Sequence, residues 1–170
     1  MAAIHVCGLS HLGTVVARSG ARHVASLINA GMAVPYPLSV PLENRLMLGF
    51  NDIAAPVTGL TEPARVHAMK LIDFVRAWDQ QNPLVIHCWM GVSRSTAGAF
   101  IAQCALMPEA DEAALARALR EASPEATPNS RLVHLADDLL GRDGRMVRAI
   151  AAIGRGAETF EGVPFSVQIA

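Results

Sequence analysis

One short segment combines a cysteine, an arginine and a serine in a pattern suited to binding and attacking a tetrahedral oxyanion. Cys88 follows the apolar run 84–86, Arg94 comes after five intervening residues, and Ser95 is next. A loop that closes onto a helix N-terminus directs backbone N–H groups at one point, where the helix dipole adds positive charge. The planar guanidinium of Arg94 can bind two phosphate oxygens at once, which a lysine cannot do. Gly91 lets the backbone bend closely around such an anion.

The same field should activate Cys88 as a nucleophile. A free cysteine has a pKa near ~8.5, and helix N-termini with nearby cations lower that pKa to ~3.5–7.5. A shift of about three units would raise the reactive thiolate about thirtyfold at neutral pH. The loop would then bind the anion and ionise its nucleophile with one set of dipoles. The structural alternative is a cysteine that only fills space, because free cysteines are commonly buried.

Cleavage of a phosphate ester also needs a proton donor for the departing oxygen. A positioned carboxylic acid contributes ~10²–10⁴-fold to such a step. Asp52 alone directly follows a strand-like run and opens a loop with Ala, Pro and Gly; the other candidates lie on a polar helix face or in the helical C-terminal half (Asp73, Asp111, Asp137, Asp138, Asp143). We therefore predict that Asp52 is the acid. The alternative is that Asp52 only caps a turn.

The motif His87-Cys88-x5-Arg94-Ser95 resembles the phosphate loop of the protein tyrosine phosphatase superfamily, especially its dual-specificity and small bacterial members. The resemblance implies that Cys88 attacks phosphorus to form a cysteinyl-phosphate and that Arg94 binds the ground and transition states. It implies that Ser95 helps the thiolate to leave in the hydrolytic step. The phosphate-binding loop would comprise Trp89, Met90, Gly91, Val92, Ser93 and Arg94.

Three further positions take their expected roles from the same resemblance. The segment 50–56 is similar to the acid loop of the small members, although it lacks the Trp-Pro-Asp form of tyrosine-specific receptors. His87 should face away from Cys88 by strand alternation and orient the loop through hydrogen bonds. Pro128-Asn129 resembles a Pro-Asn pair whose asparagine supports the site. Ser93 is either a loop donor or merely solvent-exposed.

The elements that must position these residues follow from hydrophobic spacing and from turn residues. A helix is expected from Thr61 as N-cap, with a buried stripe of Val66, Met69, Ile72, Val75 and Trp78. Strands are predicted over 4–9, 23–28, 45–50 and 84–86, and helices over 12–18, 61–78, 94–107, 111–122, 129–141 and 145–153. This order predicts an α/β three-layer sandwich in which helices flank a mostly parallel sheet of four to five strands, with a helical C-terminal half. The site should lie at the carboxyl ends of the strands.

Length and composition limit the classes of protein that the sequence can encode. The 170 residues are expected to form a single domain, 1–170, with a loosely ordered tail over about 154–170. With 52% hydrophobic and 17% charged residues, disorder is not expected. A net charge of −1 gives no reason to expect nucleic acid or a membrane surface as partner, and neither a signal peptide nor a membrane span is expected.

The cysteine and histidine spacings indicate neither a disulfide framework nor a metal site. The three cysteines are widely separated, so a reduced, cytoplasmic compartment is expected, with no metal and no organic cofactor. Cys7 and Cys104 are interpreted as buried structural thiols, the alternative being reversible oxidation with Cys88.

Several functions remain open from the sequence. The loop interior carries no lysine, which favours phosphotyrosine, or phosphotyrosine together with phosphoserine and phosphothreonine, in a phosphorylated protein. A small phosphate ester of metabolism is an alternative substrate. A catalytically weak phosphate-binding module of the same fold and a sulfurtransferase are the other hypotheses, although neither requires Cys88, Arg94, Ser95 and Asp52 together.

Overall fold

A five-stranded, mixed sheet forms the centre of the computed structural model, which describes residues 2–170. The spatial order of the strands is β3-β2-β4-β1-β5, and only β5 runs antiparallel to its neighbour. The strands are β1 Ala2–Gly8, β2 His23–Ile28, β3 Arg45–Gly49, β4 Leu84–Cys88 and β5 Phe165–Ile169. The α-helices in these residues are α1 Leu12–Ser19, α2 Arg65–Ala77, α3 Arg94–Leu106, α4 Glu112–Ala122, α5 Ser130–Leu140 and α6 Arg145–Ile153. The predicted α/β fold with its helical C-terminal half is confirmed.

The helices cover the two faces of the sheet unequally. One face packs in a small apolar cluster against α1, through Leu12 and Val16. The other face packs against α2–α6 in the main core, in which Phe50 and Phe100 are the largest fully buried side chains. These three layers remove both faces of the parallel strands from water, as such sheets require.

Helix α3 crosses the middle of the sheet and is buried along almost its whole length. Its first turns consist of small residues, which allow the helix backbone to lie directly on β4. A Cβ on Gly98 would come within 3.0 Å of Ile86 Cγ2. Because β4, a short loop and α3 follow one another, the loop between Cys88 and Arg94 is fixed at the carboxyl edge of the parallel strands.

Helix α2 differs from the prediction at its start and on its buried face. It begins at Arg65 with Ala64 as N-cap, and not at Thr61. Thr61 instead pairs with Asn51: Asn51 N–H donates to Thr61 O at 2.7 Å, and Thr61 N–H donates to Asn51 Oδ1 at 2.8 Å. A pairing between distant residues has therefore taken the place of the local cap.

The predicted stripe on α2 is wrong at its N-terminal end. Val66 and Met69 are exposed, whereas Ala68, Leu71, Ile72 and Val75 are buried. A spacing of three residues turns by about 60° per step around a helix with 3.6 residues per turn, so a stripe built on that spacing drifts off the core face.

The C-terminal tail is ordered, which corrects the expectation of a loose segment. Its last residues form β5, which pairs with β1 from Ala2↔Ile169 to Val6↔Phe165. Val167 and Ile169 are buried, and the intervening Gln168 is exposed. The tail thus supplies an edge strand of the central sheet. Across residues 2–170, none of the helices has the length and apolar character needed to cross a membrane.

Candidate active site

The loop Trp89–Ser93, here called the Cys88 loop, is held by hydrogen bonds to its outward-facing carbonyl groups. The four donors come from three separate parts of the chain: Leu9 N–H to Trp89 O at 3.1 Å, Gly162 N–H to Met90 O at 2.8 Å, and, from the segment 127–129, Thr127 N–H to Val92 O at 2.9 Å and Asn129 N–H to Ser93 O at 3.2 Å. Carbonyl and N–H groups of a peptide unit point in opposite directions, so this arrangement turns loop amides towards Cys88. Such a concave ring of N–H groups binds anions.

Gly91 is needed at the tightest point of the Cys88 loop. Its φ is +73°, in the left-handed region that glycine adopts at little cost. A Cβ there would lie 2.6 Å from Gly8 N and 2.7 Å from the carbonyl carbon of Cys7. The loop can therefore pack against the end of β1 only because this residue has no side chain.

Cys88 lies beneath the loop with its sulfur between a backbone N–H group and a hydroxyl group. Gly91 N–H donates to Cys88 Sγ at 3.2 Å, and Ser95 Oγ lies 3.1 Å from the same sulfur. The side chain is buried but lines the cavity described below. Both contacts fix the sulfur at the base of the loop, directly below its amides.

Arg94 is buried at the start of α3, with only part of its donor capacity used. Its Nη1 donates to Asn29 Oδ1 at 2.8 Å and to Phe50 O at 2.6 Å, which fixes the plane of the guanidinium. Its Nε is buried and has no hydrogen-bond partner among residues 2–170. A buried, unpaired N–H is costly, and a phosphate oxygen would satisfy it.

Asp52 follows β3 and is held near the Cys88 loop by two side chains. Its Oδ1 accepts hydrogen bonds from Ser93 Oγ at 2.7 Å and from Asn129 Nδ2 at 2.8 Å. Asn129 Oδ1 in turn accepts from Leu132 N–H at 3.0 Å as the N-cap of α5. Both donors are directed at Oδ1, so a proton carried by Asp52 belongs on Oδ2.

His87 lies in a buried chain of hydrogen bonds behind Cys88. Its Nδ1 lies 3.2 Å from Cys88 O, its Nε2 lies 2.7 Å from Ser26 Oγ, and that hydroxyl lies 2.8 Å from Tyr36 Oη. A carbonyl can only accept, so Nδ1 carries the proton, and Ser26 donates to Nε2. Burial, with a smaller effect from Arg94, lowers the pKa of His87 to about 4. The neutral ring therefore orients Cys88 through its carbonyl.

Cys88, Arg94 and Asp52 line one open cavity of about 490 Å³. Its mouth is apolar, and Arg94 is the sole basic residue among the described residues that line it. The lining comprises Asn29, Met32, Asn51, Asp52, Ile53, Leu60, Cys88, Trp89, Met90, Val92, Ser93 and Arg94. Within residues 2–170, no group of three or more His, Cys, Asp or Glu side chains could hold a metal ion.

The other two cysteines are buried away from this cavity. Burial raises the pKa of Cys7, and separately that of Cys104, to about 12. Cys7 packs in the cluster under α1, whereas Cys88 contacts Ser95 of α3 on the opposite face of the sheet. This arrangement favours the structural interpretation of both thiols.

Some contributors to the site were not singled out in the sequence. Asn29 directly follows β2, and the ends of parallel strands share one edge, so its position carried a usable signal. Ser26 of β2 contacts His87, and Tyr36, which lies in a proline-rich segment, contacts Ser26. Gly162 reaches the Cys88 loop from the tail, and no local pattern marks it.

Comparisons with known proteins give structural but not sequence relatives. No family model matches the chain, and no curated protein matches it. Among solved structures, the PTP-2 phosphatase of Cydia pomonella is similar with a TM-score of 0.63 at 19% identity, over 79% of this chain and 84% of that chain. Human DUSP28 has a TM-score of 0.63 at 16% identity, over 82% and 88% of the two chains, and DUSP15 a TM-score of 0.61 at 14% identity, over 92% and 94%.

These relatives define the class to which the fold belongs. The chain has the α/β fold of these phosphatase structures, which is the fold that the resemblance of its Cys-x5-Arg-Ser motif predicted. At sequence identities this low, the structural similarity establishes the fold alone. The chemistry has to be inferred from the geometry of the site.

Proposed function

We propose that this chain is a cysteine-dependent phosphomonoester hydrolase that acts on phosphotyrosine, or with dual specificity, through a cysteinyl-phosphate intermediate. The observation that carries the proposal is the environment of Cys88. Its sulfur receives the Gly91 N–H and lies beside Ser95 Oγ, under a loop whose carbonyls are tied outwards, next to a buried Arg94 Nε without a protein partner. Nucleophile and oxyanion donors thus converge on one point.

In the first step, the thiolate of Cys88 attacks phosphorus and an S–P bond forms as the ester P–O bond breaks. The electron pair of the broken bond stays on the leaving oxygen, which takes the proton from Asp52 Oδ2. Arg94 and the loop amides bind the equatorial oxygens, where charge is held during transfer. The two hydrogen bonds to Asp52 Oδ1 position the acid for this step.

In the second step, water attacks the phosphorus of the cysteinyl-phosphate and the S–P bond breaks. The Asp52 carboxylate now accepts a proton from the water, so one residue acts first as acid and then as base. The electron pair returns to sulfur, and Ser95 Oγ, 3.1 Å from Cys88 Sγ, donates a hydrogen bond to the departing thiolate. Inorganic phosphate leaves, and the enzyme returns to its starting state.

The lining of the cavity supports a substrate with a single phosphate on an apolar or aromatic group. Met32, Leu60, Trp89 and Met90 surround the approach to Cys88, and Trp89 is 43% exposed. Aromatic rings stack favourably on such surfaces. Arg94 is the one basic residue among the described lining residues, so a polyphosphorylated ligand would find no second cation in this cavity.

A catalytically weak binding module is the alternative that the site geometry disfavours. Binding phosphate needs the Cys88 loop and Arg94 but not an acid, yet Asp52 is positioned by both Ser93 and Asn129. A small phosphate ester of metabolism is the alternative substrate, and turnover of inositol phosphates and nucleotides distinguishes it from a phosphorylated protein.

The proposal is tested by phosphate release from para-nitrophenyl phosphate. We expect turnover by the native chain, loss of at least about 10⁴-fold in Cys88→Ser, and retained turnover in the matched control Cys104→Ser, which lies outside the cavity. Mass spectrometry of acid-quenched enzyme should find a phosphate on Cys88. Turnover that survives Cys88→Ser, or phosphate trapped on another residue, would reject the proposed mechanism.

A panel of phosphotyrosine, phosphoserine and phosphothreonine peptides, inositol phosphates and nucleotides then identifies the substrate class. We expect the highest kcat/KM on phosphotyrosine peptides. A preference for inositol phosphates or nucleotides would contradict the inference from the apolar mouth.

A further inference from the structure

A second and larger cavity adjoins the one above Cys88. It has a volume of about 870 Å³ and shares Asp52, Val92 and Ser93 with the catalytic cavity. Its far side is formed by Ile150 of α6 and by the tail segment 154–160. Ligand sites commonly measure ~300–1,000 Å³. A molecule whose phosphate occupies the Cys88 loop can therefore extend past Asp52 without leaving the concave surface.

The tail segment that forms the far wall is fixed at both ends. Near its start, Gly156 N–H donates to Thr127 Oγ1 at 3.0 Å and Ala157 N–H donates to Pro124 O at 2.9 Å. After it, Gly162 N–H donates to Met90 O at 2.8 Å, and Val163 N–H donates to a Glu125 carboxylate oxygen at 3.0 Å. The wall is preformed, so a ligand does not have to order it, and preorganisation of this kind favours affinity.

The chemistry of the second cavity suits a polypeptide better than a polyanion. Phe160 stands on its rim and is 85% exposed, and Pro128 and Ile150 add further apolar surface. Its charged lining residues are Asp52, Arg155 and Glu158, which sum to −1 when ionised. A nucleic acid or a polyphosphate would meet no net positive field here.

We propose that the second cavity is a subsite for the part of a substrate polypeptide next to the phosphorylated residue, with Phe160 contacting an apolar side chain. The inference rests on the proposed function, because continuity with the Cys88 loop is what identifies the occupant. It assigns specificity to the tail: Phe160 and the wall select the sequence around the phosphate, and the Cys88 loop performs the chemistry.

Paired substrates test this subsite. We would measure kcat/KM for phosphotyrosine amide and for the peptides Ala-Leu-pTyr-Leu-Ala and Ala-Lys-pTyr-Lys-Ala. We expect the leucine-flanked peptide to exceed the amide by about tenfold, because burial of one large apolar side chain is worth about that factor. The lysine-flanked peptide should gain little.

Two exposed positions allow the cavity to be changed without disturbing the core. Phe160→Ala removes the rim contact, and Ala151→Trp on α6 fills the cavity with a side chain. Both should reduce kcat/KM for the leucine-flanked peptide by about five- to tenfold relative to that for the amide. Leu38→Ala is the matched control, because Leu38 is fully exposed and lines neither cavity; it should preserve the preference for the leucine-flanked peptide.

Binding separates failure of the subsite from failure of the proposed function. The Kd of each phosphotyrosine ligand for Cys88→Ser, with and without Phe160→Ala, is measured by calorimetry, which requires no turnover. A leucine-flanked peptide that binds no more tightly than the amide, or a preference that both cavity variants retain, would overturn the subsite. Selective binding with no turnover by the native chain would reject the hydrolase and leave the subsite standing.

Discussion

The two loops that face each other across the catalytic cavity are built differently. In the Cys88 loop only Trp89 is exposed, and four carbonyls of its backbone accept hydrogen bonds from three separate parts of the chain. The loop that carries Asp52 is exposed over most of 52–61; a pairing between Asn51 and Thr61 closes its base, and Ser93 and Asn129 hold its carboxylate. Exposed segments with few buried contacts open more easily than buried ones.

Under the proposed function, this difference suits the two loops to different tasks. Oxyanion stabilisation is most effective when donors are fixed before the reaction, which the Cys88 loop provides. An acid must reach leaving groups of different size and let the product depart, which suits the exposed loop. Changes to the Cys88 loop should therefore affect every substrate alike, whereas changes to the Asp52 loop should depend on the leaving group.

Among changes that leave Cys88 in place, the largest effect is expected for Arg94→Lys. Lysine keeps the charge but cannot reproduce the bonds to Asn29 and Phe50 while offering two donors to phosphate. Loss of two charge-assisted hydrogen bonds, each worth ~1.5–3 kcal/mol, predicts a fall of about 10²–10⁴-fold in kcat/KM for every substrate. Steady-state kinetics on para-nitrophenyl phosphate and phenyl phosphate measure this fall in kcat/KM. Arg131→Lys, outside the cavity, is the control, and loss confined to one ester would contradict a uniform role.

Asp52→Asn should reduce turnover of phenyl phosphate more than turnover of para-nitrophenyl phosphate. Phenolate is a poor leaving group and needs a proton, so turnover of phenyl phosphate should fall by about 10²-fold or more. The nitrophenolate of para-nitrophenyl phosphate needs the proton less and should suffer a smaller loss. The pH profile of kcat should lose its dependence on a protonated acid in the variant. Equal losses on both esters would remove Asp52 from the role of acid.

His87 should make the fold sensitive to acid. Its pKa is lowered to about 4 in the folded chain, from its ordinary value of about 6.5, chiefly by burial. Since the unfolded chain binds the proton more readily, stability is full above about pH 6.5 and is lost as the pH falls through about 4, by about 3 kcal/mol. Urea unfolding at neutral and acidic pH measures this loss. His87→Gln should flatten the dependence, and an unchanged slope would contradict the neutral, buried ring.

Asn129→Ala should give the smallest effect, and it has a matched control. Loss of an N-cap costs ~0.5–2 kcal/mol of stability, and loss of the bond to Asp52 should lower kcat by about two- to tenfold. Asp111 caps α4 through bonds to Ala113 and Ala114 and lies outside both cavities. Asp111→Ala should therefore destabilise the chain similarly with unchanged kcat. Equal kcat in the two variants would show that Asn129 acts only as a cap.

The sequence predicted those parts of the site that short-range patterns determine. The Cys-x5-Arg-Ser spacing, the apolar strand before it and the small-residue helix after it lie within one continuous segment, so their geometry follows from local rules. Asp52 could be chosen by its place after a strand. The sheet with its helical C-terminal half followed from the same alternation of elements.

The parts that the sequence did not predict depend on contacts between distant residues. Thr61 has the composition of a helix cap but pairs with Asn51, and Gly162 supports the Cys88 loop from the far end of the chain. The alternation of Phe165, Val167 and Ile169 with polar residues was a signal for β5, but only pairing with β1 makes that strand stable. A single strand pattern near a terminus does not reveal its partner.

The central claim is that Cys88 is the nucleophile beneath an anion-binding loop, and alkylation in competition with phosphate tests this claim most directly. The rate of iodoacetamide addition to each cysteine would be followed by peptide mass spectrometry, with buried Cys7 and Cys104 as internal controls and inorganic phosphate as competitor. We predict that Cys88 reacts fastest and that phosphate protects it. A Cys88 that reacts no faster than the two control cysteines, or whose rate phosphate leaves unchanged, would contradict the account.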